Sequence, residues 1–228
     1  MLDLSFLYAG WETPSQALRY GKRLSPMPDR GAAWRPKTAQ ERRPVVVWNL
    51  TRTCNLKCLH CYSDSWSRKY SGELSTAEAK AVLDDLAEFK VPAVLFSGGE
   101  PLLRKDLFEL AAHARSKKIS VVLSTNGTLI TEDIATRIKE TGFSYVGVSL
   151  DGIGPVHDHF RGVEGTFDKV VRAYRNLKKA GQKAGLRLTL THKTTERLEE
   201  VFSFIEREGI DRVCFYHLVP AGRGKGLF

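Results

Sequence analysis

The sequence has no apolar run approaching the ~20 residues that a membrane-spanning helix needs. Met1 to Leu7 carries Asp3 where a secretory leader would place bases ahead of a long apolar stretch. A soluble cytoplasmic chain is therefore expected. Cysteine is scarce, four in 228 residues, with Cys54, Cys58 and Cys61 crowded together and Cys214 far away. That distribution excludes a secreted disulfide framework and suits a metal site in a reducing compartment. Acidic charge is in deficit, 26 Asp+Glu against 35 Lys+Arg, for a net charge of +9. Such a balance is compatible with nucleic acid, an anionic small substrate or an acidic protein partner, and chooses none of them. An apolar content of 42% suits one globular domain with a sizeable core and excludes general disorder.

Residues 1–44 are locally basic, with Arg19, Lys22, Arg23, Arg30, Arg35, Lys37, Arg42 and Arg43 against Asp3, Glu12, Asp29 and Glu41. We read them as a solvated N-terminal extension ahead of a core at 45–228. From Val45 onward, β-rich apolar runs alternate with amphipathic segments. The runs are VVVWNL (45–50), AVLFS (93–97), ISVVLS (119–124), YVGVSL (145–150), LRLTLT (186–191) and RVCFYH (212–217). Length and Val/Ile enrichment make them strands, because buried parallel strands need not alternate polar and apolar residues.

Helices are expected between them. Ser75 and Glu78 form a capping box ahead of Val82, Leu83, Leu86 and Phe89. Leu107, Leu110, Ala111 and Ala114 mark a second helix, and Ile134 with Ile138 a third ending at Gly142. Phe167 to Leu177 before Gly181, and Leu198 to Ile205 before Gly209, mark two more, each glycine suited to a left-handed cap. Repeating strand–helix units imply an α/β fold with a parallel sheet, either open and doubly wound or curved as part of a barrel. A full barrel of eight units takes ~250 residues. The visible strands fit a six-stranded (β/α)6 partial TIM barrel best, with no second domain.

The chemistry is concentrated at strand ends. After the first run stands TRTCNLKCLHCYSDS, with cysteines spaced C-x3-C-x2-C. Three thiolates so close together hold one metal centre locally. A zinc knuckle completed by His60 or Cys214 is the bland alternative, but structural zinc takes four ligands, commonly from paired C-x2-C motifs. An iron–sulfur cluster suits soft thiolates better. Cys214, inside an apolar run, reads as a small buried hydrophobe. SGGEP (97–101), STNGT (124–128) and SLDG (149–152) follow the second, third and fourth runs. Each alone is a generic turn. Together they line the C-terminal rim of a parallel sheet, where such folds place their sites.

In this order and on these strands, the cysteine loop, SGGEP, STNG and SLDG resemble the radical S-adenosylmethionine (SAM) superfamily, over Val45 to about Gly224. The resemblance implies a 4Fe-4S cluster on Cys54, Cys58 and Cys61, with its open iron chelated by the amino and carboxylate groups of SAM. One electron from the cluster then breaks SAM to methionine and a 5′-deoxyadenosyl radical, which abstracts a substrate hydrogen atom. By the same resemblance His60 lies beside the adenine, and Gly98, Gly99 and Glu100 receive the SAM amino group. Ser124, Thr125 and Asn126 form the polar cluster of the third strand, and Ser149 with Asp151 lie near the ribose and carboxylate. Arg161, in HDHFRG, stands where a base holds the SAM carboxylate, with a surface arginine as the equal alternative. His157, His159 and His192 read as loop or rim residues. His217 and the following VPAGRG match the sixth-strand end that offers backbone to the adenine.

LYAG…ALRYGKR followed by RPVVVWNLTRTCNLKCLHCY is similar to the radical SAM enzymes that modify siroheme-derived tetrapyrroles in haem biosynthesis. This implies an anionic tetrapyrrole substrate and a low-potential electron donor, with no membrane or nucleic-acid partner. A peptide-modifying relative shares the barrel motifs. From a different class, a basic zinc-containing nucleic-acid-binding protein lacks a helix-turn-helix, an RNA-recognition signature and a paired C-x2-C site. Relatives of this kind continue into a cysteine-rich C-terminal domain with an auxiliary cluster, so a truncated core without that domain or a sixth helix is expected.

Overall fold

The computed structural model describes residues 43–227, so nearly all of the basic extension lies outside the described residues. Six strands alternate with helices: β1 (Val46–Thr51), α1 (Thr76–Glu88), β2 (Ala93–Gly98), α2 (Leu107–Ser116), β3 (Ser120–Thr125), α3 (Glu132–Thr141) and β4 (Tyr145–Ser149) come first. Then follow α4 (Pro155–Arg161), α5 (Thr166–Lys179), β5 (Ala184–Leu190), α6 (His192–Thr195), α7 (Leu198–Glu208) and β6 (Val213–His217). Every neighbouring pair is parallel, in the order β1-β2-β3-β4-β5-β6. This order decides between the two architectures left open by the sequence. A doubly wound sheet reverses its strand order at a switch point. Here the order never reverses, so right-handed crossovers put successive helices on one face. In keeping with this, α1 packs on α2, α2 on α3 and α3 on α5. The result is a six-stranded partial barrel with an outer helical layer and a concave inner face.

Strand alternation divides the side chains between the two faces. Val94, Phe96, Val121, Leu123, Val146 and Val148 are buried against Leu83, Leu110, Ile138 and Leu177 of the helices. Their neighbours Leu95, Val122, Ser124, Gly147 and Ser149 fall on the concave face. The capping box forms as expected, with Ser75 Oγ accepting from Glu78 N and Glu78 accepting from Ser75 N. Gly142 and Gly209 close α3 and α7 in the left-handed conformation.

Helix α4 was not legible in the sequence. Its seven residues follow the cap Gly154, open with Pro155 and offer only Val156 and Phe160 as an apolar i,i+4 pair, too short a stretch to show a period. His157 is accordingly no rim residue: it is buried inside α4, whereas His159 and His192 are exposed. Cys214 is half-buried and not a core residue, because β6 is an edge strand of the sheet. After β6 the chain forms a 3-10 turn, Gly222–Leu227. No helix among the described residues is long and apolar enough to cross a membrane.

Candidate functional site

The site begins at an irregularity in β1. Asn49 pairs with Ser97 and Thr51 with Gly98, so β1 carries one extra residue, and this bulge turns the chain out of the sheet into the cysteine loop. The loop folds back on itself through Cys54 N, which donates to Trp66 O at 3.1 Å. Segments from three directions then brace it.

From β2 comes the SGGEP turn. Gly99 N donates to Thr51 O at 2.7 Å and Glu100 N to Thr53 O at 2.9 Å, extending the β1–β2 ladder into the loop. A Cβ at Gly98 would strike Thr51 O, and one at Gly99 would strike Thr53 O. The glycines therefore allow two backbones to dock, and their position against the cysteine loop is a second demand beside any approach of a ligand. Glu100 is fully buried. Its carboxylate accepts from Thr125 Oγ1 at 2.8 Å, Asn126 N at 2.8 Å and Leu102 N at 3.0 Å. Burial raises its pKa despite these donors. Asn126 in turn donates to Asn55 Oδ1 at 2.8 Å and lies 3.9 Å from Cys54 Sγ, while Asn55 donates to Thr128 Oγ1 at 2.8 Å. Asn55 was missed by sequence reading, since an asparagine between two cysteines carries no signal of a partner more than seventy residues away.

From β4 and α4 comes the second brace. Lys57 N donates to Arg161 O at 3.1 Å and Leu59 N to Phe160 O at 2.9 Å, while the His60 ring stacks on Phe160 with centroids 4.6 Å apart. Asp151 is fully buried and ion-paired with Arg161, and its Oδ2 lies 3.7 Å from His60 Nε2. It also accepts from Thr189 N at 2.7 Å, and its own N–H donates to His157 Nδ1 at 3.0 Å. Burial alone would raise the Asp151 pKa, but the Arg161 charge together with His60, His157 and the Thr189 N–H outweighs it, and the carboxylate stays ionised. Burial lowers His60 and His157 to about 4, so both are neutral at pH 7. Arg161 is neither a surface arginine nor free: it holds Asp151, and its Nη1 donates to Cys58 Sγ at 3.6 Å. Ser124 and Ser149 are half-buried on the concave face.

The third brace follows β6. Arg223 N donates to Cys61 O at 3.0 Å, Nε to Cys58 O at 2.8 Å, and Nη1 to Ser65 O at 2.9 Å and Asp64 Oδ1 at 3.0 Å. Its guanidinium covers the Trp66 ring at 4.2 Å. The VPAGRG segment thus lies against the cysteine loop itself.

The donor set tests whether an iron–sulfur cluster suits this loop. Cys54 and Cys58 are buried and Cys61 half-buried, all as free thiols. Each sulfur has a donor: Leu56 N to Cys54 at 3.4 Å, Arg161 to Cys58, and Ser65 N to Cys61 at 3.4 Å. Burial pushes Cys54 up to about 11 and also raises Cys58. At Cys61 burial raises the pKa too, but bonds from Ser63 and Ser65 and the Arg223 charge outweigh it and the net shift is downward. Bound iron deprotonates such thiols outright, and the surrounding donors stabilise the sulfur charge. His60 Nδ1 and Arg161 Nε, both buried beside the loop, find no partner among the described residues. The chain's residues fit the cluster. Cys214 lies on the edge strand β6, in register with Arg187 and bordering Tyr145 and Tyr216.

Comparison with known proteins identifies the family. The chain is 50% identical to an Fe-coproporphyrin III synthase of Methanosarcina barkeri over 227 residues, which is 100% of this chain and 56% of that protein. It is 48% identical to a pre-heme d1 synthase of Dinoroseobacter shibae over 87% of this chain and 48% of the relative. The chain thus spans about half the length of the curated relatives it matches. Among solved structures, native anSMEcpe with bound AdoMet is similar with a TM-score of 0.68 and 28% identity, over 77% of this chain and 51% of that one. The sequence matches the radical SAM superfamily over residues 48–205, from β1 into α7, and the chain belongs to that superfamily.

Proposed function

We propose that the chain is the SAM-binding core of a radical SAM enzyme that modifies a siroheme-derived tetrapyrrole on the way to haem. One observation carries the reading: a three-cysteine loop, braced from β2, α4 and the β6 exit, stands with a donor at every sulfur on the C-terminal rim of a partial barrel. Cys54, Cys58 and Cys61 would hold a 4Fe-4S cluster. When bound, that cluster supplies the electron that cleaves SAM to methionine and a 5′-deoxyadenosyl radical. The SGGEP backbone, Ser124, Asn126, Ser149 and the Asp151–Arg161 pair would line the SAM site. Glu100 holds the third-strand turn to the second, so that their polar groups share one rim. Leu56, packed with the buried Cys54 and Cys58, keeps water from those two sulfurs. The names of the two relatives support a tetrapyrrole substrate, and the excess of basic residues agrees with an acid. The electron comes from a low-potential donor.

The test is anaerobic reconstitution with iron and sulfide, then incubation with SAM, dithionite and either a siroheme-derived tetrapyrrole or an acidic peptide. About four irons per chain, 5′-deoxyadenosine and a mass change in the tetrapyrrole are expected. A change in the peptide alone overturns the substrate class, and colourless protein holding stoichiometric zinc overturns the whole reading.

A further inference from the structure

The concave face carries a guanidinium that the rim does not use. Arg187 lies in the middle of β5 between Leu186 and Leu188, both buried, so strand alternation turns its side chain to the inner face. Its register neighbours are Ser149, the last residue of β4, and Cys214 on β6. It therefore stands just beneath the rim: Leu150 N donates to Arg187 O at 2.9 Å, and Thr189, two residues on, binds Asp151.

Two features hold it there. Gly147 on β4 has no side chain, and a Cβ at that position would lie 2.6 Å from Arg187 Cδ and 3.1 Å from Cγ. The missing side chain is the bed on which the arginine stem rests. On the other side the guanidinium lies 4.8 Å from the centroid of the Tyr216 ring. The residue is half-buried, yet it forms an ion pair with none of the described carboxylates. Arg104, Arg161, Arg175, Arg197 and Arg223 all do. A partly desolvated cation favours an anionic partner, and the planar fork of arginine matches a carboxylate.

We propose that Arg187 is the carboxylate anchor of the substrate cavity: it takes one acid side chain of the substrate on the concave face and so orients the remainder of the molecule toward the rim. The assignment rests on the function proposed above. It adds a residue contact and a chemical demand, that a substrate present at least one free carboxylate to the lumen.

The experiment uses the reconstituted 228-residue chain and optical titration with coproporphyrin III, a tetrapyrrole with free acid side chains, and with its tetramethyl ester. A fluorescently labelled acidic peptide and SAM are titrated separately. R187Q should weaken the free acid on the order of ten- to a hundredfold, the range of one charged hydrogen-bonded contact, and leave the ester's weak binding unchanged. R187K should recover part of the loss. G147A, which keeps the charge but displaces the arginine stem, should also weaken the acid. Iron content and melting temperature monitor the fold. Equal affinity of wild type and R187Q for every carboxylate probe overturns the anchor. A loss confined to SAM does so too, by assigning the guanidinium to the SAM carboxylate. If the tetrapyrrole does not bind while the acidic peptide binds in an Arg187-dependent way, the anchor stands and the tetrapyrrole reading falls.

Discussion

Cys58 illustrates how a single residue is prepared for metal. Burial holds its thiol protonated, and only Arg161, itself tied to Asp151, offers a compensating charge. Replacing Cys54, Cys58 or Cys61 by alanine should abolish iron binding after reconstitution, as read by iron and sulfide analysis. Cys214→Ala should retain it. Loss of iron from the Cys214 variant with an intact fold would instead mean four protein ligands. His157 gives a second prediction. Its folded pKa of about 4 lies below the ordinary 6.5 because it is buried, so the unfolded chain takes up a proton where the native chain does not. Its stabilising contribution is complete above 6.5 and falls with pH, by about 2 kcal/mol at pH 5. His157→Asn keeps an acceptor for Asp151 N–H and does not titrate, so urea unfolding should show a smaller loss between pH 7 and pH 5 than in wild type. His60 shifts in the same direction in both proteins, so the difference isolates His157.

Among the elements, the strand-end turns act as struts as well as ligand surfaces. On the sequence, Gly98 and Gly99 read as the approach for an amine. In the structure a side chain at Gly99 would press on Thr53 O and Arg52 O, in the cysteine loop. Gly99→Ala should therefore lower reconstituted iron to roughly half of wild type or less, a cost of overpacking at a backbone contact. A variant with full iron and only weakened SAM binding would return the glycine to a purely ligand-facing role. Strands and long helices were legible within a residue or two because each carries a period or a cap. Helix α4 was not, and with it went the environment of His157 and Arg161.

At the scale of the whole molecule, the far end of the described chain holds a loop near its beginning. Arg223 comes after β6, yet four of its hydrogen bonds end on residues 58–65. Arg223→Ala should release iron to a chelator severalfold faster than wild type, since hydrogen bonds to charged groups contribute on the order of 1.5–3 kcal/mol each. An unchanged release rate would show that the other two braces suffice.

The amino-acid sequence by itself determined the alternation of strands and helices, the cysteine spacing and the placement of SGGEP, STNG and SLDG at strand ends, because these are local patterns of period, turn chemistry and ligand spacing. Only the tertiary structure decided what faces what. Asn55 meets Asn126, Arg161 turns to Asp151 and Cys58, Arg223 closes on the cysteine loop, and Arg187 lies in the bed left by Gly147. These contacts join residues from different strand–helix units. They follow from the order and curvature of the sheet, which no single segment encodes.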